Sequence, residues 1–352
     1  MSKLYSQISG WGKYVPEKIL TNQELEKMVD TSHEWIMQRT GIAERRIAAE
    51  DETTGTMAVA AAHQALEVAH LTPADLDLII VSTSSPDYHV PAVSSTIQAM
   101  LGATCPAFTL VTGCTGFVYG LVTAHQFIAS GAYKRILVIG VELISRYIDW
   151  EDRNTCVLFG DGAGAVVLTP SLTPRGILSF DLGSSGEQGH HLMLKGGGSA
   201  NPMSHEMIDR GDHHLYMNGR EVFKFATRVL PRSLKAILEQ SNLSLDDIDL
   251  LIPHQANYRI IEAAMRSLKF DSEKVFLNLH KYGNTSAASI PIALVEAILE
   301  DRLKPDDKIA LVSFGAGLTW ASAMVQWGMS PSSPNGREAS VSEPVRVETT
   351  IV

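Results

Sequence analysis

The sequence predicts an α/β fold built from two copies of one unit, and three observations carry that prediction. Runs of apolar residues alternate with long amphipathic stretches, the pattern of mostly parallel sheets covered on both faces by helices. A shift of about 172 residues brings the two halves of the 352-residue chain into register. Three strand patterns end near a short turn of small or polar residues, and those turns hold Cys114, His254 and Asn284.

Taken in order, Leu71–Ile80 lies under that shift over Leu243–Ile252. Ala107–Thr112 reads as a buried strand, Gly113–Gly116 as a tight turn and Phe117–Ala129 as an apolar-periodic helix, which falls over the helix that starts at Ser286. Strand Ile136–Ile139 falls over Lys308–Leu311. Three matches of element type at one offset point to a duplicated unit. Gly160-Asp161-Gly162-Ala163-Gly164 leads into a strand, Ala165–Thr169, so it reads as a supporting turn and not a nucleotide loop. Pro170, Pro174 and Gly176 mark the join, which divides the chain into an N-terminal half, 1–172, and a C-terminal half, 173–329.

In the second half Ile248–Ile252 is a strand, and Pro253-His254-Gln255-Ala256-Asn257 leads into a helix over Tyr258–Leu268. Val275–Asn278 reads as a further strand, Tyr282–Thr285 as a turn, Ser286–Leu299 as a helix and Ala321–Trp327 as the last strand. From 330 to 352 the Ser- and Pro-rich composition predicts a low-complexity tail with no catalytic role.

Composition narrows the function. With 45% hydrophobic residues the chain can bury a sizeable core in each half. A formal net charge of -10 argues against nucleic acid as a partner. No apolar run approaches a membrane span, so no membrane role is expected. Three cysteines do not make a disulfide framework and favour a reduced, cytoplasmic setting. The histidines at 190, 191, 205, 213 and 214 lie in glycine-rich sequence without a ligand motif, so no metal is expected.

Cys114 is the candidate nucleophile. A thiol at the N-terminal end of a helix meets free N–H groups and the macrodipole, which favour the thiolate. The dipole contributes at most ~2 kcal/mol, or roughly 1.5 pKa units from a start near ~8.5. That leaves the sulfur marginally ionised at neutral pH, so a nucleophile here needs a second partner. Open α/β sheets bind ligands at the carboxyl ends of their strands; Cys114, His254 and Asn284 all follow such ends, so one site could hold all three. Cys105 and Cys156 have no such context and read as core.

With these motifs in hand, the chain resembles the β-ketoacyl-[acyl carrier protein] synthase III family of condensing enzymes, over nearly all of residues 3–329. Gly113-Cys114-Thr115-Gly116-Phe117, Pro253–Asn257 and Gly283–Ser289 are similar to its Cys, His and Asn motifs, in its order. The resemblance implies a thiolase-like, internally duplicated α-β-α-β-α sandwich, normally a homodimer. It implies that Cys114 takes an acyl group from acyl-CoA, and that His254 and Asn284 stabilise the enolate formed when a malonyl-carrier protein loses CO2. The backbone N–H groups of Cys114 and Ala316 would form the oxyanion hole. No cofactor is implied, coenzyme A entering only as a thioester.

By the same resemblance Thr31, Trp35, Arg39, Arg153 and Gly219 would line the CoA site, with Trp35 stacked on adenine, Arg153 over its other face and Arg39 on a phosphate. Lys224, Arg259 and Arg266 fall where the family docks its acidic carrier protein. Val90 stands at a dimer-interface position where acetyl-preferring members carry an aromatic; the smaller side chain predicts a longer acyl pocket and a medium-length or branched primer. The competing readings are a related acyltransferase, a condensing enzyme of secondary metabolism and, more remotely, a non-catalytic acyl-CoA or carrier-binding subunit.

Overall fold

Two sheets frame the molecule. In the computed structural model, which describes residues 4–328, the first sheet has the order Tyr5–Tyr14, Gly162–Ser171, Ile136–Glu142, Leu78–Ser82, Ala107–Leu110. The last three strands run parallel, and Gly162–Ser171 runs against both its neighbours. The second sheet repeats the plan as Gly176–Ser184, Thr319–Gln326, Lys308–Gly315, Leu250–Pro253. The tail assigned to 330–352 lies outside the described residues.

Alternation along the strands sets the layers. Leu78, Ile80, Ile136 and Val138 of the first sheet, with Leu250, Ile252, Ile309 and Leu311 of the second, turn inward onto helices Gly116–Ala129 and Ser289–Leu299. The intervening Ile79, Val81, Leu137 and Ile139 turn outward onto helices Thr54–Ala69 and Val93–Leu101. On the far side Leu251, Ala310 and Val312 pack against Gly219–Ser241 and Tyr258–Leu268. Helix, sheet, helix, sheet, helix is therefore the stacking order, as the thiolase-like resemblance implied. The central pair of helices is apolar on nearly every face because both faces meet a sheet.

The repeat extends to hydrogen bonds. Asp75 Oδ2 accepts from the N–H and hydroxyl of Thr72 at 2.8 and 2.7 Å, and Asp247 Oδ2 accepts from those of Ser244 at the same two distances. Each capping box starts the turn that feeds a parallel strand, Leu78–Ser82 in one half and Leu250–Pro253 in the other.

Two elements differ from expectation. Ala107–Leu110 is half exposed, because it is the edge of its sheet. The expected strand Val275–Asn278 shrinks to one parallel bridge between Leu251 and Val275. The side chain of Gln255 explains the loss: its amide donates to Phe276 O at 3.2 Å and accepts from the Asn278 N–H at 3.0 Å, taking groups a ladder would need.

Leu121, fully buried between the sheets, should lose about 2–5 kcal/mol of stability on truncation to Ala. Leu172, 79% exposed at the join, should change by less than about 0.5 kcal/mol. Urea unfolding of the two variants against the parent checks the contrast.

Candidate active site

Cys114 sits in a single 3-10 turn, Gly113–Thr115, that runs directly into helix Gly116–Ala129. Glycines let the loop 314–317 press against it. A Cβ on Gly315 would stand 2.5 Å from the Cys114 nitrogen, and one on Gly113, whose φ is +59°, would stand 2.8 Å from the Ala316 nitrogen. That approach brings the N–H groups of Cys114 and Ala316 to bear on the sulfur. Burial nevertheless pushes the thiol up to about 12, helped by the nearby Glu142 carboxylate; the Ser286 hydroxyl, 3.3 Å from Sγ, and the two N–H groups oppose the rise without cancelling it. The helix end does not win here. Desolvation of the thiolate outweighs the dipole that favoured marginal ionisation, and Cys114 rests as a neutral thiol.

His254 follows strand Leu250–Pro253 and is buried, with its backbone N–H on Val312 O at 2.8 Å. Burial drives its pKa down to about 3, so the ring is neutral at physiological pH. Nδ1 lies 2.7 Å from Ser289 Oγ. That oxygen also accepts the Gln255 N–H at 3.4 Å; when its own proton points at Nδ1, the ring proton is left on Nε2. In that tautomer His254 is a hydrogen-bond donor.

Asn284 is held by its backbone, with N–H to Leu158 O at 2.8 Å and O to the Gly160 N–H at 3.1 Å. Gly160 thus supports the site, but the turn expected over Gly160–Gly164 is already strand from Gly162 onward. Asn284 Oδ1 accepts the Ser286 N–H at 2.8 Å, which fixes the amide and leaves its NH2 to donate. The turn Ser286–Ala288 and Ser289 after it tie the three residues together: Ser286 touches Cys114 and Asn284, and Ser289 holds His254. Phe314, next to Gly315, packs edge-on to His254 with ring centroids 5.5 Å apart.

Two site residues escaped the sequence reading. Ser286 adopts φ +49°, a left-handed conformation unusual for a residue with a side chain, and its hydroxyl lies 3.1 Å from Glu142 Oε1 as well as near Sγ. Glu142 is fully buried at the carboxyl end of strand Ile136–Glu142 and is raised to about 7 by desolvation. The repeat held a signal for Ser286, which stands 172 residues after Cys114. Glu142 carried no local signal.

Trp35, Arg39, Arg153, Gly219, Lys224 and Arg259 line one cavity of about 550 Å3. The Arg39 and Arg153 guanidinium carbons stand 5.7 and 5.3 Å from the Trp35 ring centroid. An aromatic base between Arg153 and Trp35 needs roughly 7 Å, two van der Waals contacts, so Arg153 must swing out and release Asp30 O, to which it donates at 2.9 Å. Thr31 is not among the residues lining this cavity. Arg266 stands out on helix Tyr258–Leu268, 3.9 Å from Glu262. Asn257 caps that helix, accepting the Arg259 N–H at 2.9 Å and donating to Arg39 O at 3.1 Å.

A second cavity of about 430 Å3 reaches the Cys114 turn through Gly113 and Ala316 and is walled by Ile144, Leu192 and Leu215 among others. Val90 is not part of it. That side chain is 86% exposed on the loop after Tyr88. Among the described residues no cluster of three metal-ligating side chains occurs, and no helix is long and apolar enough to cross a membrane.

The duplicated sandwich and its Cys–His–Asn junctions define the class: a thiolase-fold condensing enzyme. Residues 108–186 match the 3-oxoacyl-[acyl-carrier-protein] synthase III family and 238–327 match its C-terminal counterpart. The β-ketoacyl-[acyl-carrier-protein] synthase III of Caldanaerobacter subterraneus is 52% identical over 92% of this chain and 98% of its own length. That of Roseiflexus sp. is 51% identical over 92% and 98%. The crystal structure of the Aquifex aeolicus 3-oxoacyl-[acyl-carrier-protein] synthase III superposes with a TM-score of 0.85 at 46% identity, covering 92% of this chain and all of that one. This chain belongs to the β-ketoacyl-[acyl-carrier-protein] synthase III family, and it is an acyltransferase, a condensing enzyme of fatty-acid synthesis.

The raised pKa of Glu142 has a consequence for stability. Between about 4.5 and 7 the folded protein holds a proton on Glu142 that the unfolded chain has released, so this group's contribution falls as pH rises through that window. His254 works in the opposite sense, adding stability as pH rises between about 3 and 6.5. Comparison with Glu142→Gln isolates the carboxyl: the stability of the variant relative to the parent should grow by up to about 3 kcal/mol from acid to neutral pH. Denaturant midpoints measured across that range check it, and a pH-independent difference would contradict it.

Proposed function

We propose that the enzyme condenses an acyl-CoA primer with malonyl-carrier protein through an acyl-Cys114 intermediate. The observation that carries this reading is the single turn 286–289, which contacts Cys114, His254 and Asn284 at once. Cys114 attacks the primer thioester, and the N–H groups of Cys114 and Ala316 receive the oxyanion, each such donor being worth about 2.7–4 kcal/mol. CoA leaves and malonyl-carrier protein enters. Loss of CO2 puts charge on an enolate oxygen, which takes hydrogen bonds from His254 Nε2 and the Asn284 amide. Neither group needs to ionise, which suits a buried site where an imidazolium is strongly disfavoured. The enolate carbon then attacks acyl-Cys114 and the β-ketoacyl product departs.

The cavity around Trp35 suits coenzyme A: Arg39 offers a cation for phosphate, and the Trp35 indole and Arg153 offer two faces for the base. In this reading Gly219 completes its wall, and Thr31 is left without a place in it. Lys224 and Arg259 stand on the rim of the same cavity and, with Arg266, would meet the acidic carrier as its pantetheine arm follows CoA along one path. The second cavity would take the acyl chain. The exposure of Val90 is consistent with a homodimer in which it completes the partner's cavity, and its small size favours a medium-length or branched primer over acetyl.

Intact-protein mass after mixing with single acyl-CoAs should show a gain of one acyl group, absent in Cys114→Ser, and largest for medium or branched chains. Preferential loading of acetyl would remove the primer assignment while leaving the nucleophile. For the second half-reaction, decarboxylation of malonyl-carrier protein should fall by about 10²–10³ in His254→Ala and in Asn284→Ala. Unchanged release of labelled CO2 would contradict the enolate roles.

A further inference from the structure

The mechanism leaves one proton without a destination. Cys114 rests as a thiol, and its proton must leave as sulfur bonds to the acyl carbon. In the donor tautomer that the enolate role requires, His254 does not accept it: Nδ1 is engaged by Ser289 and Nε2 carries the ring proton. Asn284 has no basic atom to offer, and its Oδ1 is taken by the Ser286 N–H. Among the described residues, the Ser286 hydroxyl is the one side chain hydrogen-bonded to Sγ, at 3.3 Å, and Glu142 Oε1 lies 3.1 Å behind it.

We propose that Ser286 and Glu142 form the proton exit of Cys114. This rests on Cys114 being the nucleophile and names how it is activated. As the C–S bond forms, the S–H bond breaks and its proton passes to Ser286 Oγ, while the serine's own proton passes to Glu142 Oε1. The carboxylate becomes a carboxylic acid. Collapse of the tetrahedral intermediate expels the CoA thiolate, and the reverse hop returns the proton to it, leaving acyl-Cys114, CoA thiol and ionised Glu142. Ser286, in contact with the reacting sulfur, is catalytic; Glu142 acts through it and is a positioning residue.

The surroundings of Glu142 fit this task. Oε2 takes Ser85 Oγ at 2.6 Å and Thr83 Oγ1 at 3.3 Å, and the Ser84 N–H reaches both oxygens at 3.1 Å. Those donors hold an ionised carboxylate in place and crowd Oε2, so Oε1, facing Ser286, is the oxygen with room for a proton. Backbones are pressed together to keep the line short: a Cβ on Gly140, two residues before Glu142, would stand 2.3 Å from Ala287 O. The left-handed backbone of Ser286 aims the hydroxyl between the two acids. Electrostatics links them, since the Glu142 charge raises the Cys114 pKa; sulfur and carboxyl share one proton more readily than they both ionise. Tyr147 is the other titratable group that senses Glu142, with Asp87 and Arg146 acting on Tyr147 from beyond.

The test is the pH dependence of iodoacetamide alkylation at Cys114, followed by peptide mass between about pH 5 and 9 in the parent, Glu142→Gln and Ser286→Gly. Glycine suits the left-handed backbone while removing the hydroxyl. The parent should show a step near neutrality, where Glu142 titrates, and both variants should lose it. Acyl uptake from acyl-CoA should fall roughly tenfold or more in each, the size of one hydrogen bond to a charged group. A step that persists unchanged in either variant overturns the relay. Failure of the parent to take any acyl group from CoA or carrier thioesters would instead overturn the nucleophile reading, with the alkylation profile still deciding the relay.

Discussion

Everything in the site depends on how closely two turns can approach. The Cys114 turn ends a strand of the first sheet, the Ser286 turn starts the matching helix of the second half, and they meet at 3.3 Å between sulfur and hydroxyl. Gly113, Gly140 and Gly315 stand where any side chain would strike the opposing backbone. The close packing that excludes side chains also excludes water, and dryness then sets the chemistry. A thiol, an imidazole and a carboxyl, which in water would titrate at about 8.5, 6.5 and 4.3, are all moved toward their neutral forms by the same desolvation.

That shared neutrality explains the choice of residues. A buried imidazolium or a permanent thiolate would be costly here, so the site holds groups that bind charge only as it develops. In the proposed reaction amide, neutral imidazole and backbone N–H would donate to oxyanions without carrying net charge themselves. Preorganisation falls to the scaffold. Gln255 spans Pro253, Phe276 and Asn278, and fixes the His254 junction against the segment leading to Asn284. The cost is visible in the fold, because the second sheet gives up its fifth strand to that clamp.

The parts of this arrangement that were legible in the sequence are those written in local pattern. Strand and helix periodicity, the offset between halves and the polar junctions gave the α/β duplication and placed Cys114 and His254 after strand ends. Quantities set by distant parts of the chain were not legible. The dipole argument for Cys114 pointed the wrong way because burial, invisible locally, outweighed it. Val275–Asn278 has strand composition, yet a glutamine twenty residues earlier competes for its backbone. Glu142 lies three residues beyond the strand read at Ile136–Ile139, and only its position opposite Ser286 makes it notable.

Duplication also explains why such a line of groups exists. Position 286 in the second half answers to 114 in the first, and the two meet at 3.3 Å. The contact is made by two turns that each open a helix. Two identical cysteines there could oxidise to a disulfide. Serine in the second copy keeps a small hydrogen-bonding group at the contact without a second thiol. The strand that ends at Glu142 belongs to the first copy and the turn it faces belongs to the second, so carboxyl, hydroxyl and thiol line up only once the halves have closed on each other. Correct docking of the two halves and completion of the nucleophile's surroundings are therefore one event.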